Sequence, residues 1–150
     1  MRKLKYIFRR NTFHARIFIS LLYFEKKYRF KLPFKILRKL IIQGLYCSEV
    51  HPESFISLDA ITSLRLPHPY MIIIHRSTKI GLNCTIFQEC TIGVIEEKTL
   101  QASSIGNNVY IGCKSTILGP IGIGHSVKIG ACSLILRDIR NSVTKIGLWK

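Results

Sequence analysis

The sequence predicts a mainly β fold, a solenoid of stacked six-residue repeats preceded by a short N-terminal helical segment. Two observations carry this. Isoleucine stands at 74, 80, 86 and 92 and then, after a gap of thirteen, at 105, 111, 117, 123, 129 and 135. A period of six fits neither the helical 3.6 nor strand alternation kept up over such a distance, and it is the period of a solenoid. The other places of each hexad repeat as well. Glycine follows the isoleucine at 81, 93, 106, 112, 124 and 130, and four places after it stand Thr78, Cys84, Cys90, Val109, Ser115, Ile121, Val127, Ser133 and Ile139, all small or aliphatic.

Each hexad then reads as a short strand and a corner. The isoleucine points into a narrow core, the glycine lets the backbone turn, and the small residue sits where the walls come close. Asn83, Asn107 and Asn108 are expected to take the positive φ angles of corners. Three sides of six make a coil of eighteen residues, and stacked coils bury a column that no single repeat buries alone. A sandwich of irregular strands would not hold isoleucine in one phase from 105 to 135.

The 150 residues suit one domain with a sizeable core. The net charge of +15 is uneven: residues 1–48 carry thirteen Lys or Arg and one acid, Glu25, against ten and seven in residues 49–150. The chain therefore divides into a basic amphipathic helical segment, 1–48, and the repeat domain, 49–150. Two helical stretches break near Pro33. In the first, Ile7, Phe8, Phe13, Ile17, Phe18, Leu21, Leu22 and Phe24 alternate with Arg9, Arg10, Arg16, Lys26 and Lys27; in the second, Phe34 to Leu45, apolar residues interleave with Lys35, Arg38 and Lys39. Such a segment suits an anionic membrane surface through residues 1–45, or its apolar face caps the solenoid while the cations are solvated. Both roles stay open. Basic residues with interleaved aromatics also suit nucleic acid, but no DNA- or RNA-binding motif appears and none is expected. The run from Ile17 to Phe24 is far short of the ~20 residues that span a bilayer and lacks a cleavage site. The expectation is a cytoplasmic protein, at most peripheral at the inner membrane face.

Five cysteines, Cys47, Cys84, Cys90, Cys113 and Cys132, show no CxxC or Cys/His spacing. They read as reduced residues, with Cys84 and Cys90 at packing positions, and no metal is expected.

The repeat is interrupted in four places. Ser48 to Arg65 reads as a first, imperfect coil. Leu66-Pro67-His68-Pro69-Tyr70 holds a histidine between two prolines, which stiffens the backbone around an imidazole. The gap between Ile92 and Ile105 is more charged and reads as a loop pushed out from a corner. After Ile135 the repeat decays towards Lys150.

Taken with the repeats Ile80-Gly81-Leu82-Asn83-Cys84-Thr85-Ile86-Phe87-Gln88, Ile105-Gly106-Asn107-Asn108-Val109-Tyr110-Ile111-Gly112 and Ile117-Leu118-Gly119-Pro120-Ile121, the His68 segment resembles the hexapeptide-repeat acyltransferases. The likeness runs from about Val50 to Gly147, and within that family it is to the serine acetyltransferase-like branch, which includes polysaccharide O-acetyltransferases. The resemblance implies a left-handed parallel β-helix, an exception to the right-handed crossover rule. It also implies a homotrimer with acetyl-CoA as co-substrate between neighbouring subunits, and His68 as general base. A hydroxyl attacking a thioester must lose its proton as the bond forms, and an imidazole can take that proton and return it to the departing thiolate. Direct transfer needs no serine or cysteine nucleophile.

The positions matched to coenzyme A are the corners Gly112-Cys113 and Gly130-Ala131, with Lys114 and Lys128 candidates for its phosphates. Those glycines and small residues read equally as ordinary corners, and those lysines as solvated. His75 is a weaker substrate candidate, and His51, His125 and His14 weaker still.

Four departures from serine acetyltransferases stand out: Pro67 replaces an aspartate, Gln101 to Ser104 replace a second active-site histidine, the helical N-terminal domain is replaced by the basic segment, and the ending is Ile146-Gly147-Leu148-Trp149-Lys150. The last of these bears on the coenzyme A contacts; on the first three the sequence points to an O-acetyltransferase acting on a hydroxyl of a sugar or polysaccharide precursor. Serine O-acetylation is the alternative, and a non-catalytic scaffold is the rival from another class. The active site is expected between the two breaks at His68 and before Ile105, on facing subunits.

Overall fold

The computed structural model describes residues 11–28, 32–95 and 101–150. Helix α1 (Phe13–Lys27) is N-capped by Thr12, whose hydroxyl accepts from the Ala15 N–H, and Lys26 and Lys27 in its last turn suit the helix dipole. Helix α2 (Leu32–Arg38) tolerates Pro33 because it lies in the first turn, and it widens into a π-helical stretch, Lys39–Leu45. After strand β1 (Glu49–Val50) come a 3-10 turn (Pro52–Ser54) and helix α3 (Leu58–Ser63), capped by Ser57.

Among the described residues twelve strands follow: β2 (Ile73–Ile74), β3 (Lys79–Ile80), β4 (Thr85–Ile86), β5 (Thr91–Gly93), β6 (Ser104–Ile105), β7 (Tyr110–Ile111), β8 (Thr116–Leu118), β9 (Gly122–Ile123), β10 (Lys128–Ile129), β11 (Leu134–Ile135), β12 (Thr144–Lys145) and β13 (Leu148–Trp149). They form three sheets, the faces of a prism: β1-β2-β5-β8-β11-β13, β12-β10-β7-β4 and β3-β6-β9. Every pairing is parallel.

Register explains the isoleucine count. Ile74 pairs with Ile92, Ile92 with Ile117 and Ile117 with Ile135; Ile80 pairs with Ile105 and Ile105 with Ile123; Ile86 pairs with Ile111 and Ile111 with Ile129. None of the ten is more than 4% exposed. Each such side chain contributes about 1.5–3 kcal/mol by burial.

Corner chemistry differs from expectation. The positive φ falls three residues after the isoleucine, at Asn83, Glu89, Asn108, Lys114, Ser126, Cys132 and Ser142. Asn107 does not take it; its Oδ1 instead accepts from the Leu82 N–H at 2.8 Å. The glycine after the isoleucine serves stacking, not turning. A Cβ on Gly112 would lie 2.6 Å from the Ala131 nitrogen, and one on Gly106 would lie 2.7 Å from the Gly124 carbonyl oxygen. Gly112→Ala is therefore expected to cost about 1–3 kcal/mol, because backbone must shift to admit the methyl. Gly44→Ala, with nothing within 4 Å of its Cβ, should be near neutral. Denaturant midpoints of the two variants check this.

The imperfect first coil is also clear. β1 lies in the first sheet, Phe55 bridges Ile80 in the third and Arg65 bridges Thr85 in the second, with α3 inserted between them. At the far end the coils shorten: Lys128 pairs with Thr144 and Leu134 with Leu148. The N-terminal helices share one hydrophobic core with the solenoid, through Phe18, Ile19, Leu22 and Ile42. α1 packs on α2, α3 and the 3-10 turn, and Lys26 donates to the carbonyls of Pro52 and Phe55. Arg38, expected on a cationic face, is instead buried against Glu25.

Candidate active site

His68 lies on the corner between the Arg65 bridge and β2, an interval of eight residues where the next three coils use six. Hydrogen bonds hold the backbone that follows it. Buried Ser48 shares its hydroxyl proton between the Tyr46 carbonyl at 3.0 Å and the Pro69 carbonyl at 3.3 Å, and accepts from the Ile72 N–H at 2.9 Å. The Met71 N–H donates to the Tyr46 carbonyl and the Glu89 N–H to the Tyr70 carbonyl. Met71 takes a φ of 54°, a conformation uncommon for such a side chain and frequent at functional sites.

The imidazole is exposed, its ring centroid 6.5 Å from that of Phe87, which is 5.3 Å from that of Tyr110. The other four histidines are engaged within the chain. His14 Nδ1 meets the Tyr46 hydroxyl at 3.1 Å, and His51 Nε2 lies 3.5 Å from Glu49. His75 Nδ1 meets the Ser77 hydroxyl at 2.8 Å, and His125 Nδ1 accepts from the Asn107 N–H at 2.9 Å. Among the described residues, His68 alone of the five has neither ring nitrogen in a hydrogen bond or ion pair.

The four corner residues matched to coenzyme A come together on the same edge of the prism as His68. The corners at 87–90, 112–115 and 130–133 stack there: the Lys114 N–H donates to the Gln88 carbonyl and the Cys132 N–H to the Cys113 carbonyl. At about 4.8 Å per coil, Gly130 stands roughly 10 Å along the edge from Phe87. Gly112 is buried, Cys113 and Gly130 are half-buried, and Ala131 is exposed. Gly112 is also demanded by stacking, as its missing Cβ shows. A groove of about 340 Å³ adjoins this edge, lined by Tyr110, Lys128, Ile129, Gly130, Thr144 and Ile146. Lys128 thus borders open space, whereas Lys114 lies 3.6 Å from Glu89.

Gln88 went unnoticed in the sequence. Its Oε1 is buried with no partner among the described residues, on the edge between the His68 segment and the Gly112 corner. On the corners stacked along this edge the same hexad position holds Cys113 and Ala131, so a long amide there is the exception. The thiols of Cys84 and Cys90 donate to the carbonyls of Gly106 and Gly112, and burial pushes both up to about 11. They are packing groups, not nucleophiles.

The gap before Ile105 lies on the other edge of the six-stranded sheet, between β5 and β6. Residues 96–100 of the expected loop lie outside the described residues. Its end is stitched down: Ala102 N–H donates to the Ser77 hydroxyl, and the buried Ser103 hydroxyl to the Gly119 carbonyl at 2.8 Å.

No family model matches the chain. A serine acetyltransferase of Helicobacter pylori is 31% identical over 137 residues, covering 89% of this chain and 76% of that protein. The chain belongs to the serine acetyltransferase family. A Staphylococcus epidermidis serine acetyltransferase is 36% identical over 101 residues, 67% of this chain and 46% of that one. Across the first curated relatives the chain spans between 40% and 76% of their length. Soybean serine acetyltransferase complexed with serine superposes with a TM-score of 0.74 at 22% identity, over 91% of this chain and 56% of that one. The Brucella abortus enzyme in complex with coenzyme A gives 0.72 at 25%, over 90% and 52%. The fold is the left-handed parallel β-helix of these enzymes.

The sugar or polysaccharide acceptor is corrected by these relatives, whose names point to serine instead. That expectation rested on Pro67, on Gln101 to Ser104 and on the basic segment in place of a larger helical domain, and differences of that kind do not define a different acceptor.

Proposed function

We propose that the chain transfers the acetyl group of acetyl-CoA to the hydroxyl of L-serine, with His68 as general base. The observation that carries this is the state of the five histidines: four are held in internal contacts and His68 is left free on the edge that also bears the Gly112 and Gly130 corners. Relatives that act on serine, and a structural neighbour solved with coenzyme A, support the substrates.

In this mechanism His68 removes the serine hydroxyl proton as the oxygen attacks the thioester carbonyl. It then returns the proton to the coenzyme A thiolate as the carbon–sulfur bond breaks, leaving O-acetylserine and free coenzyme A. The groove beside Tyr110 suits the pantetheine arm, and Lys128 a phosphate of the nucleotide end. Gln88 offers an acceptor for a substrate N–H or O–H. The functional unit in this reading is a homotrimer, in which a neighbouring subunit completes the open side of the His68 edge.

The test is thiol release from acetyl-CoA with and without L-serine. Release should depend on serine and yield O-acetylserine by mass, from a particle of three times the chain mass. Absence of serine-dependent release from folded protein would overturn the proposal and favour a non-catalytic scaffold.

A further inference from the structure

The N-terminal helices carry a surface that the acyl-transfer chemistry does not use. Leu32, Ile36 and Leu40, at four-residue spacing, are 60%, 51% and 66% exposed, and Phe13 and Leu45 are 69% and 73% exposed. On a projection of about 100° per residue Leu32 and Ile36 point away from buried Arg38, which faces the protein interior, and exposed Leu40 prolongs the stripe into the π-helical stretch. The outward face of α2 is thus its apolar one, the reverse of an ordinary surface helix. Exposed Lys35 and Lys39 flank this stripe on one side. On the other, Leu37 leads into an apolar groove of about 430 Å³ lined by Phe13, Ile17, Phe24, Phe34 and Ile41 among others.

Charge selects the occupant. The one acid in residues 1–48, Glu25, is buried against Arg38, so this segment presents no negative charge to a partner. A second copy docked face to face would bring two like-charged surfaces together. A nucleic acid would meet the lysines but leave the aliphatic stripe in water. An anionic bilayer surface satisfies both, burying Leu32, Ile36 and Leu40 among acyl chains while Lys35 and Lys39 remain at the headgroups. Among the described residues no helix is long and apolar enough to cross a membrane, which fits a helix lying in the interface.

We infer that the outward face of α2, with the adjoining groove, docks the protein on anionic phospholipid membranes. This is independent of the acceptor and of catalysis, since its readout is binding and not turnover. The full chain is floated with vesicles of phosphatidylcholine alone, and with about one third phosphatidylglycerol, at about 0.1 M and about 0.5 M salt. Binding is expected to the anionic vesicles, weakened at high salt. L32S/I36S/L40S should weaken it by about tenfold or more, and K35E/K39E by a similar factor. All five side chains are exposed, so both variants should keep the wild-type melting temperature. If one does not fold, the other still decides. Deletion of the segment is a poorer probe because Phe18, Ile19 and Leu22 cover the solenoid core. Failure to bind anionic vesicles would overturn the inference. So would undiminished binding by the triple-serine variant, or duplex DNA at equal phosphate displacing both proteins alike, which would mark a merely electrostatic phosphate surface.

Discussion

Replacing His68 with alanine should lower kcat by about 10²–10⁴-fold, equivalent to about 3–5 kcal/mol of barrier, while leaving the melting temperature unchanged. The side chain is exposed and makes no hydrogen bond within the chain among the described residues, so its removal takes nothing from the fold. The backbone of its corner is held by Ser48, Tyr46 and Glu89, none of which depends on the imidazole. His125→Ala should behave in the opposite way. Its Nδ1 accepts from Asn107 and its own N–H donates to Asn141 Oδ1 at 2.7 Å, one step of a ladder along a different edge of the prism. Losing it leaves the Asn107 N–H without its acceptor, so stability should fall by about 1 kcal/mol with little change in kcat. Steady-state thiol release and thermal melts on the two variants separate these outcomes. Near-normal turnover by His68→Ala would remove the base assignment.

The solenoid was legible because its energetics are periodic: each isoleucine packs on another one coil away, so one spacing repeats through the sequence. The irregular coil was readable as irregular but not in detail, because Phe55 and Arg65 hold two sheet positions through single bridges with a helix between them. The role of the corner glycines was hidden for another reason. A turn glycine and a stacking glycine look alike in sequence, and only the 2.6 Å approach of Ala131 to the missing Gly112 Cβ distinguishes them. The site was half legible. Two prolines marked His68, but that it alone is unengaged among the described residues depends on the partners of the other four histidines. The His14–Tyr46 contact joins residues 32 apart in the chain. The Gln88 acceptor is visible only once burial is known. Arg38 was misassigned because an arginine between lysines in a basic helix has every sequence mark of a solvated cation, and its partner lies thirteen residues away.

That arginine carries the other large effect. Its Nε donates to Glu25 Oε2 at 2.7 Å and its guanidinium reaches the Val50 carbonyl at 3.2 Å, with the residues 1% and 5% exposed. It fastens α1, α2 and β1 at one point, one π-helical stretch ahead of the Tyr46–Ser48 segment that holds the His68 corner. Arg38→Ala leaves a carboxylate buried without its cation and should cost about 3–5 kcal/mol. At about 2–4 °C per kcal/mol for a chain of this size, that is a fall of roughly 6–20 °C in Tm. Changing both partners to apolar residues of similar volume, E25L/R38M, removes the two desolvation costs along with the attraction and should recover most of the loss. The double variant should also keep serine-dependent turnover, because neither residue touches the His68 edge, whereas Arg38→Ala should lose turnover only at temperatures near its own melting. A loss of under about 1 kcal/mol in Arg38→Ala would mean that water reaches Glu25 and that the junction is held by the apolar contacts of Phe18, Ile19, Leu22 and Ile42 alone.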